Sequence, residues 1–229
     1  MREFNLLDDY PKLSKPRHVG SGLRTIDHRI IASYREKDFF DGNRNYGYGG
    51  FKYDGRWQKI ADKICKEYNL NEQSNFLQIG CEKGFLLKDM KTKFPKMNIE
   101  GLENSKYAIK NSMKEVKENI KFVNNFINLD YEDNKFDFVL ALGVVYTKSI
   151  SDAIKFLKEI QRIGKGKSFI TLASYKTIDD YWLFKQWSLL GTTILLKEEW
   201  IKILEHTKYT GDYSFTNAEL LNLKSDKTI

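Results

Sequence analysis

Two glycines and one glutamate stand at a spacing that could hold a nucleoside. Gly80 ends the apolar run 76–80 and Gly84 follows it, and glycine lets a backbone turn tightly and come close to a ligand. Glu103 ends the next apolar run, 23 residues after Gly80, where a carboxylate can accept hydrogen bonds from both hydroxyls of a ribose. Ser105 then opens the following helical pattern. Together these residues indicate a site for an adenosine-containing cofactor.

Arginine is distributed unevenly along the chain. Seven of the eight arginines precede residue 57, namely Arg2, Arg17, Arg24, Arg29, Arg35, Arg44 and Arg56. Arg162 alone follows them. Arginine offers a planar fork of donors that suits a carboxylate or a phosphate, whereas lysine is a point charge. The N-terminal part of the chain is therefore expected either to bind an anionic group or to form structural salt bridges.

The elements that would position these residues alternate between strand and helix. Apolar runs predict buried strands at 76–80, 99–103, 120–124, 136–142 and 168–173. Helical patterns occur at 26–37, 57–68, 84–93, 105–118, 150–163, 179–190 and 197–207, with a last strand region at 211–223. Residues 1–25 are expected to form an irregular arm. The alternation predicts an α/β protein, in which a parallel sheet carries helices on both faces.

The composition limits what else the chain can be. Its 229 residues, 41% of them apolar and with a net charge of +7, indicate one large folded domain or one domain with an appendage. The positive charge is spread along the chain, which argues against nucleic acid as a partner. Cys65, Cys81 and three scattered histidines show neither a disulfide framework nor a metal-binding spacing, so we expect no metal. Without a signal peptide or an apolar run of roughly 18 residues, we expect a cytoplasmic protein that does not contact membranes.

Three strings carry a resemblance to a known family: LQIGCEKGFLL at 77–87, IEGLENSKYAI at 99–109 and NLDYEDNKFDFVLALGVVYT at 128–147. They are similar to the class I S-adenosylmethionine-dependent methyltransferases, over about residues 57–173 by motif and to about residue 225 by layout. The chain resembles the small-molecule enzymes of bacterial surface-carbohydrate or secondary-metabolite pathways. The resemblance implies a Rossmann-like, doubly wound, mostly parallel seven-stranded sheet with S-adenosyl-L-methionine as the cofactor.

The resemblance also divides the chain and assigns cofactor-binding residues. Residues 1–56 would form an N-terminal arm with a Tyr/Gly-rich lid, and residues 57–229 the cofactor-binding domain with a small insertion near 176–196. The glycine turn would line the methionine part of the cofactor, and Glu103 would hold the ribose. The implied residues, including those near the adenine and the pocket floor, are Gly80, Cys81, Glu82, Gly84, Glu103, Asn104, Ser105, Asn125, Phe126, Ala141, Leu142 and Gly143.

Three residues depart from the pattern of that family. Gln78 stands where an acidic residue is usual, Glu82 replaces the middle glycine of the turn, and Asn125 replaces the acid near the adenine. Glu82 could restore the negative charge lost at Gln78, or its side chain could point into solvent. The turn has the spacing G-x-x-x-G and lacks the G-x-G-x-x-G of dinucleotide-binding enzymes, which disfavours an NAD-dependent Rossmann enzyme.

The segment 41–57, DGNRNYGYGGFKYDGRW, combines five glycines with five aromatic residues. Mobile glycines and flat tyrosine faces suit a lid that selects a substrate, while the alternative is an aromatic loop that packs on the sheet. The residues that we expect to line the pocket of the methyl acceptor are Tyr46, Tyr48, Tyr53, Arg56 and, opposite them, Tyr146. If Arg56 recognises an anionic acceptor, Arg56→Ala should raise the acceptor KM by roughly one or two decades.

A hydroxyl acceptor would also need a base. The candidates are His18, His28, Asp54 and Tyr146, although a single histidine is more often structural and Asp54 could instead pair with Arg56. We expect a small-molecule acceptor of anionic or sugar-like character and a monomer or homodimer. The alternatives are a non-catalytic protein that binds S-adenosylmethionine or a nucleotide and acts by interaction and, less favoured, an NAD-dependent Rossmann enzyme.

Overall fold

The computed structural model describes residues 1–11, 15–20 and 22–226. The strands of this part of the chain are β1 (Arg2–Glu3), β2 (Arg17–Val19), β3 (Asn75–Ile79), β4 (Asn98–Glu103), β5 (Ile120–Phe122), β6 (Phe138–Ala141), β7 (Ser168–Tyr175), β8 (Leu195–Leu196), β9 (Asp212–Thr216) and β10 (Leu223–Ser225). The α-helices are α1 (Ile26–Ser33), α2 (Lys37–Asp41), α3 (Gln58–Tyr68), α4 (Phe85–Lys93), α5 (Lys106–Lys110), α6 (Ile150–Ile163), α7 (Ile178–Trp187) and α8 (Lys197–His206). Two 3₁₀ helices span Lys114–Asn119 and Val145–Thr147.

One parallel sheet organises the fold. Its strands run in the order β1, β9, β7, β6, β3, β4, β5, with β8 beside β7, and each of these pairings is parallel. The chain moves from β3 outward to β5 and then returns to the other side of β3 with β6. This reversal leaves a crevice at the carboxyl ends of β3 and β6, where ligands bind in open α/β sheets. The Rossmann-like, mostly parallel sheet of about seven strands is thus confirmed.

The core covers both faces of this sheet because the central strands are apolar on both sides. On one face, Phe156, Leu157 and Ile160 of α6 are completely buried, as their helical spacing predicts. The other face is covered by α3 and α4. Full burial of each such side chain contributes about 1.5–3 kcal/mol. Trp200 of α8 is also completely buried, and its indole N–H donates to the carbonyl of Ala173 at 2.7 Å.

Residues 26–57, which we name the cap segment, lie against the carboxyl edge of the sheet. Phe40 is completely buried and packs against Tyr48, with ring centroids 6.0 Å apart. Phe51 then stacks on Phe85, the first residue of α4, at 4.6 Å. The aromatic residues of the predicted lid therefore bury the cap segment against the helix that follows the glycine turn.

An ion pair fastens the cap segment beside the same turn. The ammonium of Lys83, itself buried, donates to Asp41 at 2.6 and 2.8 Å and to the carbonyl of Phe51 at 3.0 Å. The hydroxyl of Tyr107 donates to Asp41 at 2.8 Å. Burial alone would raise the pKa of Asp41, but these hydrogen bonds outweigh burial and lower it.

Several boundaries differ from those predicted. The helix expected at 26–37 is divided into α1 and α2, because Arg35 takes a left-handed φ of 50° that ends the first helix. The helix expected at 105–118 becomes α5 and a 3₁₀ helix. The arm expected to be irregular contributes β1 and β2, which pair with β9 and β10, while the division of the chain near residue 56 stays a prediction. None of the helices among the described residues combines the length and apolar character that crossing a membrane requires.

Candidate functional site

A tight turn joins β3 to α4 at the crevice. Gly80 and Gly84 have φ values of 72° and 73°, and Glu82 between them has 53°. A β-carbon on Gly80 would lie 2.7 Å from a methyl carbon of Val144, so glycine is required there. The left-handed conformation costs glutamate about 1–2 kcal/mol. The amide of Gly80 donates to the carbonyl of Leu102 at 2.8 Å, which bends the turn over the end of β4.

Glu103, predicted to hold a ribose, ends β4 beside this turn. Its side chain is completely buried. The carboxylate accepts hydrogen bonds from the backbone amides of Glu82 at 2.8 Å, Asn104 at 2.9 Å and Ser105 at 2.8 Å. Asn104 and Ser105 share one oxygen, so the other oxygen has a single backbone donor. Because a carboxylate offers about four acceptor positions, Glu103 retains capacity for a donor from a ligand.

Arg35 of the cap segment lies over this carboxylate. Its guanidinium is 3.5 Å from Glu103 and 3.8 Å from Glu82. Its carbonyl accepts a hydrogen bond from the hydroxyl of Ser105 at 2.6 Å. Burial would lower the pKa of Arg35, but the charges of Glu103 and Glu82 outweigh that effect and raise it. The sequence marked Arg35 as one of seven clustered arginines and carried no sign that it reaches a carboxylate 68 residues away.

A tyrosine and a glutamate meet at the centre of the site. The hydroxyl of Tyr48 donates a hydrogen bond to Glu82 at 2.5 Å. Burial raises the pKa of Glu82 to about 7, with the charge of Arg35 opposing the rise and that of Glu103 adding to it. Burial and the charge of Glu82 raise the pKa of Tyr48 well above its usual value, so Tyr48 stays protonated at neutral pH. Near pH 7, Glu82 can therefore either accept or release a proton.

Two tyrosines lie near Glu82 at the glycine turn. Tyr48 is 39% exposed although its hydroxyl reaches the half-buried Glu82. Gly143, just after β6, has a φ of 70°, and the nearest atom to a β-carbon built there is the hydroxyl oxygen of Tyr146, at 3.6 Å. Burial and the charge of Glu82 raise the pKa of Tyr146 to about 12. Two tyrosine hydroxyls and a carboxyl group thus come together beside the glycine turn.

Other residues expected in the acceptor pocket have protein partners. The hydroxyl of Tyr53 donates to the buried carboxylate of Asp89, about one turn into α4, at 2.5 Å. Arg56 forms an exposed ion pair with Asp54 and donates to the hydroxyl of Tyr10 at 3.2 Å. The hydrogen bond from Arg56 lowers the pKa of Asp54, which weakens it as a base. Tyr53 and Arg56 therefore contact protein groups, and Asp54 pairs with Arg56, as one of the two interpretations of the sequence expected. A role of these residues in acceptor binding stays a prediction.

The two candidate histidines also serve local structure. Nδ1 of His28 accepts a hydrogen bond from the amide of Thr25 at 3.1 Å and so caps α1, and its ring packs against Tyr46 with centroids 5.4 Å apart. Nδ1 of His18 lies 3.1 Å from Asp226, between the exposed strands β2 and β10. Of the four proposed bases, Tyr146 is the one placed beside Glu82, and its raised pKa makes it a hydrogen-bond donor at neutral pH.

Several residues expected to bind the cofactor direct their side chains elsewhere. Cys81 and Phe126 are each 3% exposed and belong to the core. Ser105 caps α5 by accepting a hydrogen bond from a backbone amide. Asn125 is exposed, and its side-chain oxygen accepts a hydrogen bond from the amide of Ile127 at 2.9 Å. Cys81, Phe126 and Ser105 would therefore contact a cofactor through their backbone.

The residues present fit an adenosine-containing cofactor. Glu103 has remaining acceptor capacity, Gly143 leaves space at the floor, and the buried side-chain oxygen of Gln78 lacks a hydrogen-bond partner among the described residues. Arg35 lies 3.5 Å from Oε1 of Glu103, the oxygen that already accepts from two amides, whereas Oε2 accepts from one.

Comparisons with known sequences agree with this geometry. A family model described as a methyltransferase domain matches residues 70–215, more than half of the chain. Malonyl-[acyl-carrier protein] O-methyltransferase 2 of Ilyobacter polytropus is 29% identical over 153 residues, which make up 60% of this chain and 59% of that protein. The chain thus spans less than two thirds of the length of this curated relative.

Solved structures share the fold at low sequence identity. Phosphoethanolamine N-methyltransferase 2 of Haemonchus contortus, in complex with phosphomonomethylethanolamine and S-adenosylhomocysteine, has a TM-score of 0.54 and 16% identity, covering 77% of this chain and 41% of that one. The YcgJ protein of Bacillus subtilis has a TM-score of 0.52 and 16% identity, covering 64% and 66%. The [4+2]-cyclase SpnF has a TM-score of 0.52 and 19% identity, covering 66% and 57%. These likenesses show the fold alone.

Proposed function

The chain belongs to the methyltransferase-domain family, and on that premise we propose that it is a class I S-adenosylmethionine-dependent methyltransferase with a small anionic or sugar-like acceptor. Glu103 is the observation that carries the proposal. Its carboxylate is held by backbone amides at the end of β4, beside the left-handed turn after β3. A carboxylate in this position is suited to the two hydroxyls of a ribose. The curated relative, whose name specifies an O-methyltransferase of a malonyl group, supports an anionic acceptor.

When bound, S-adenosylmethionine supplies an electrophilic methyl group on a sulfonium centre. Glu103 would hold its ribose, and the glycines at 80 and 84 allow the backbone to come close to it. The hydroxyl of Tyr146 lies 3.6 Å from the position of a β-carbon on Gly143, and the hydroxyl of Tyr48 donates its one proton to Glu82. Tyr146 can donate a hydrogen bond to an acceptor, while the oxygen of Tyr48 can accept one. Orientation of the attacking oxygen in this way lowers a transfer barrier.

Glu82 is our candidate for the base that serves a hydroxyl acceptor. Its pKa of about 7 lets it take up the proton that the hydroxyl releases. Tyr48, held at 2.5 Å, keeps the carboxyl group in place. An acceptor that is already a carboxylate needs no base. The Glu82→Gln variant should therefore slow transfer to a hydroxyl acceptor and leave transfer to a carboxylate acceptor nearly unchanged.

Thermal unfolding with added ligands tests the cofactor assignment. A ligand that binds only the native protein raises the melting temperature by mass action. We expect S-adenosylmethionine and S-adenosylhomocysteine each to raise it, and the shift to be smaller in Glu103→Gln. NAD is the control. Stabilisation by NAD alone, or no stabilisation by either sulfur compound, would refute the proposal.

A second candidate is a protein that binds the cofactor without transferring a methyl group. Three departures favour it, namely Gln78, Glu82 and Asn125 in place of the residues usual in the family. The likeness of the fold to that of the [4+2]-cyclase SpnF also shows that this architecture occurs outside methyl transfer. Binding of S-adenosylmethionine without turnover of hydroxyl, amine and carboxylate acceptors would select this second candidate.

A further inference from the structure

Three arginines and a tryptophan come together at one side of the cap segment, and Arg44 lies near enough for its charge to act on two of them. The guanidinium carbons of Arg17 and Arg24 lie 5.4 and 5.5 Å from the ring centroid of Trp187, the last residue of α7. Arg29 of α1 donates to the carbonyls of Ser188 and Lys185, the latter at 2.7 Å. Three arginines from the N-terminal part of the chain thus converge on the end of α7.

Among the described residues, the arginines of this cluster form no ion pair with a carboxylate. Arg2, Arg35, Arg56 and Arg162 each form ion pairs with aspartate or glutamate. In the part of the chain that the structure describes, no such pair within 4.0 Å involves any member of the second group, which comprises Arg17, Arg24, Arg29 and Arg44. The partners of the second group are backbone carbonyls for Arg29 and Arg44 and the ring of Trp187 for Arg17 and Arg24, all of which leave the positive charge without an opposite charge.

The members of the cluster also repel one another. Burial lowers the pKa of Arg24 to about 10, and the charges of Arg44, Arg17 and Arg29 lower it further in that order of importance. Burial and the charge of Arg44 lower the pKa of Arg17 as well. Half-buried like charges brought together without a counterion cost free energy, which binding of an anion would offset.

One series of contacts joins the cluster to Tyr48 and Glu82 of the candidate site through the cap segment. Arg44 donates to the carbonyl of Gly47, and its side chain lies against Gly49, where a β-carbon would be 2.9 Å from it. Tyr48, between these two glycines, reaches Glu82 with its hydroxyl. Arg44 is therefore on the same short loop as Tyr48, whose hydroxyl bonds Glu82.

A second series of contacts joins them through α7. Trp187 packs on Phe184 with ring centroids 5.8 Å apart, and Phe184 packs on Tyr146 at 6.0 Å. Both series of contacts therefore connect the arginines to the tyrosines of the candidate site, one to Tyr48 and the other to Tyr146.

We propose that Arg17, Arg24, Arg29 and Arg44 bind a diphosphoryl group, and that this group belongs to the methyl acceptor. A guanidinium fork matches the oxygens of a phosphoryl group, and four arginines match the several negative charges of a diphosphate better than the single charge of a carboxylate. The inference rests on the proposed function for its link to methyl transfer, whereas the anion site itself does not. An acceptor anchored here would extend past Tyr48 and Tyr146 toward Glu82.

Calorimetric titration with inorganic pyrophosphate tests the anion site directly. We expect saturable binding by the wild-type chain, at least tenfold weaker binding by Arg24→Gln and by Arg17→Gln, and unchanged binding by Arg2→Gln, whose side chain already pairs with Asp212 and Glu67. Malonate should bind at least tenfold more weakly than pyrophosphate. Equal affinity in all four proteins, no binding, or a preference for malonate would overturn the proposal.

A second measurement needs no variant and so does not depend on how the variants fold. Phenylglyoxal modifies accessible arginines, and peptide mass spectrometry can follow each site in the wild-type chain. Pyrophosphate should slow modification at residues 17, 24, 29 and 44 and leave Arg2 unaffected. Equal protection at Arg2 would mean general screening by the anion and would overturn the site.

Two further titrations separate the anion site from the proposed function. Uridine diphosphate should bind as tightly as pyrophosphate if the arginines recognise the diphosphoryl group. Much weaker binding of the nucleotide would mean that the site takes free pyrophosphate. That result would overturn the assignment of the diphosphoryl group to an acceptor. S-adenosylmethionine should bind Arg24→Gln as it binds the wild type. If neither the wild type nor Arg24→Gln bound S-adenosylmethionine while the wild type still bound pyrophosphate, the proposed function would be contradicted and the anion site would remain supported.

Discussion

The glycine turn with Glu103 and the cap segment above it are built by different means. At the turn, a buried carboxylate is satisfied by backbone amides from residues that lie next to it or at the neighbouring strand end. The cap segment is held by side-chain pairs distant in sequence, such as Lys83 with Asp41 and Arg35 with Glu103. The first region inherits its geometry from the sheet, whereas the second depends on a few contacts, each of which one substitution can remove.

The largest expected loss of stability comes from a substitution of Glu103, beside the glycine turn. Replacing Glu103 by glutamine puts an amide nitrogen where a carboxylate oxygen accepted a hydrogen bond from a backbone amide. At least one buried N–H therefore loses its partner. A buried unsatisfied group costs about 1–3 kcal/mol, and we expect a loss in the free energy of unfolding near the upper end, measured by urea denaturation. Glu100→Gln on the same strand is the matched control, because Glu100 pairs with the side chains of Lys121 and Tyr131. An equal loss in both variants would contradict the special role of the backbone amides.

The next effect should appear in the cap segment. Lys83→Met leaves Asp41 without its ammonium partner, and breaking a buried pair of this kind costs several kcal/mol, reduced here to about 2 kcal/mol because Asp41 is partly exposed. Hydrogen exchange should quicken in residues 26–51 and stay constant in β3 and β6. Lys93→Met, which breaks the more exposed pair with Asp62 at the end of α4, is the control and should leave both regions unchanged. Uniformly faster exchange would mean that the pair stabilises the whole domain.

The stability of the protein is expected to depend on pH through Glu82, which lies in the glycine turn and bonds Tyr48 of the cap segment. The pKa of Glu82 rises from 4.5 to about 7 on folding, so this group makes the folded state less stable as pH rises from about 4.5 to 7. Below that window the penalty is absent, and above it the penalty is complete. Glu82→Gln should therefore be more stable than the wild type at pH 8, by about 1–2 kcal/mol after allowance for partial exposure, and equal to it at pH 4.

The comparison of melting temperatures at the two pH values checks this expectation. Tyr48→Phe serves as the control, since it removes the hydroxyl that bonds Glu82 and keeps the titrating carboxyl group. If Glu82→Gln gained the same stability at both pH values, the effect would come from packing or from the left-handed backbone and not from charge.

The smallest effect is expected at Arg56. Its ion pair with Asp54 is exposed on both sides, and pairs of this kind contribute about 0–1 kcal/mol. Arg56→Gln should therefore change the free energy of unfolding by less than about 1 kcal/mol. The acceptor KM should change little because Asp54 already occupies the guanidinium. A rise of roughly one or two decades would instead support the role in acceptor binding that the sequence suggested for Arg56.

The parts of the site that could be predicted follow from local rules. Gly80 was identified because a turn between a strand and a helix needs a left-handed residue near a ligand, and its φ of 72° agrees. Glu103 was identified because neighbouring parallel strands end at the same edge of the sheet, which places the end of β4 beside the glycine turn after β3. No comparable local rule indicates the contacts of His28, Tyr53 and Arg56. Their partners are a helix cap, a buried aspartate and an adjacent carboxylate, and residue type alone does not distinguish these from contacts with a ligand.

The sequence by itself determined the alternation of strands and helices that forms a parallel sheet, the glycine turn and the position of Glu103, since periodicity and residue type are read from short stretches of the chain. The order of the strands was decided by the tertiary structure, which pairs β1 with β9. It also contained the uneven distribution of arginine. The tertiary structure alone decided which arginines are paired and which are not, with Arg35 over Glu103 and Arg24 near Trp187. The reason is physical: the path of residues 26–57 is set by packing against distant helices and by pairs such as Lys83 with Asp41, and no local pattern encodes those contacts.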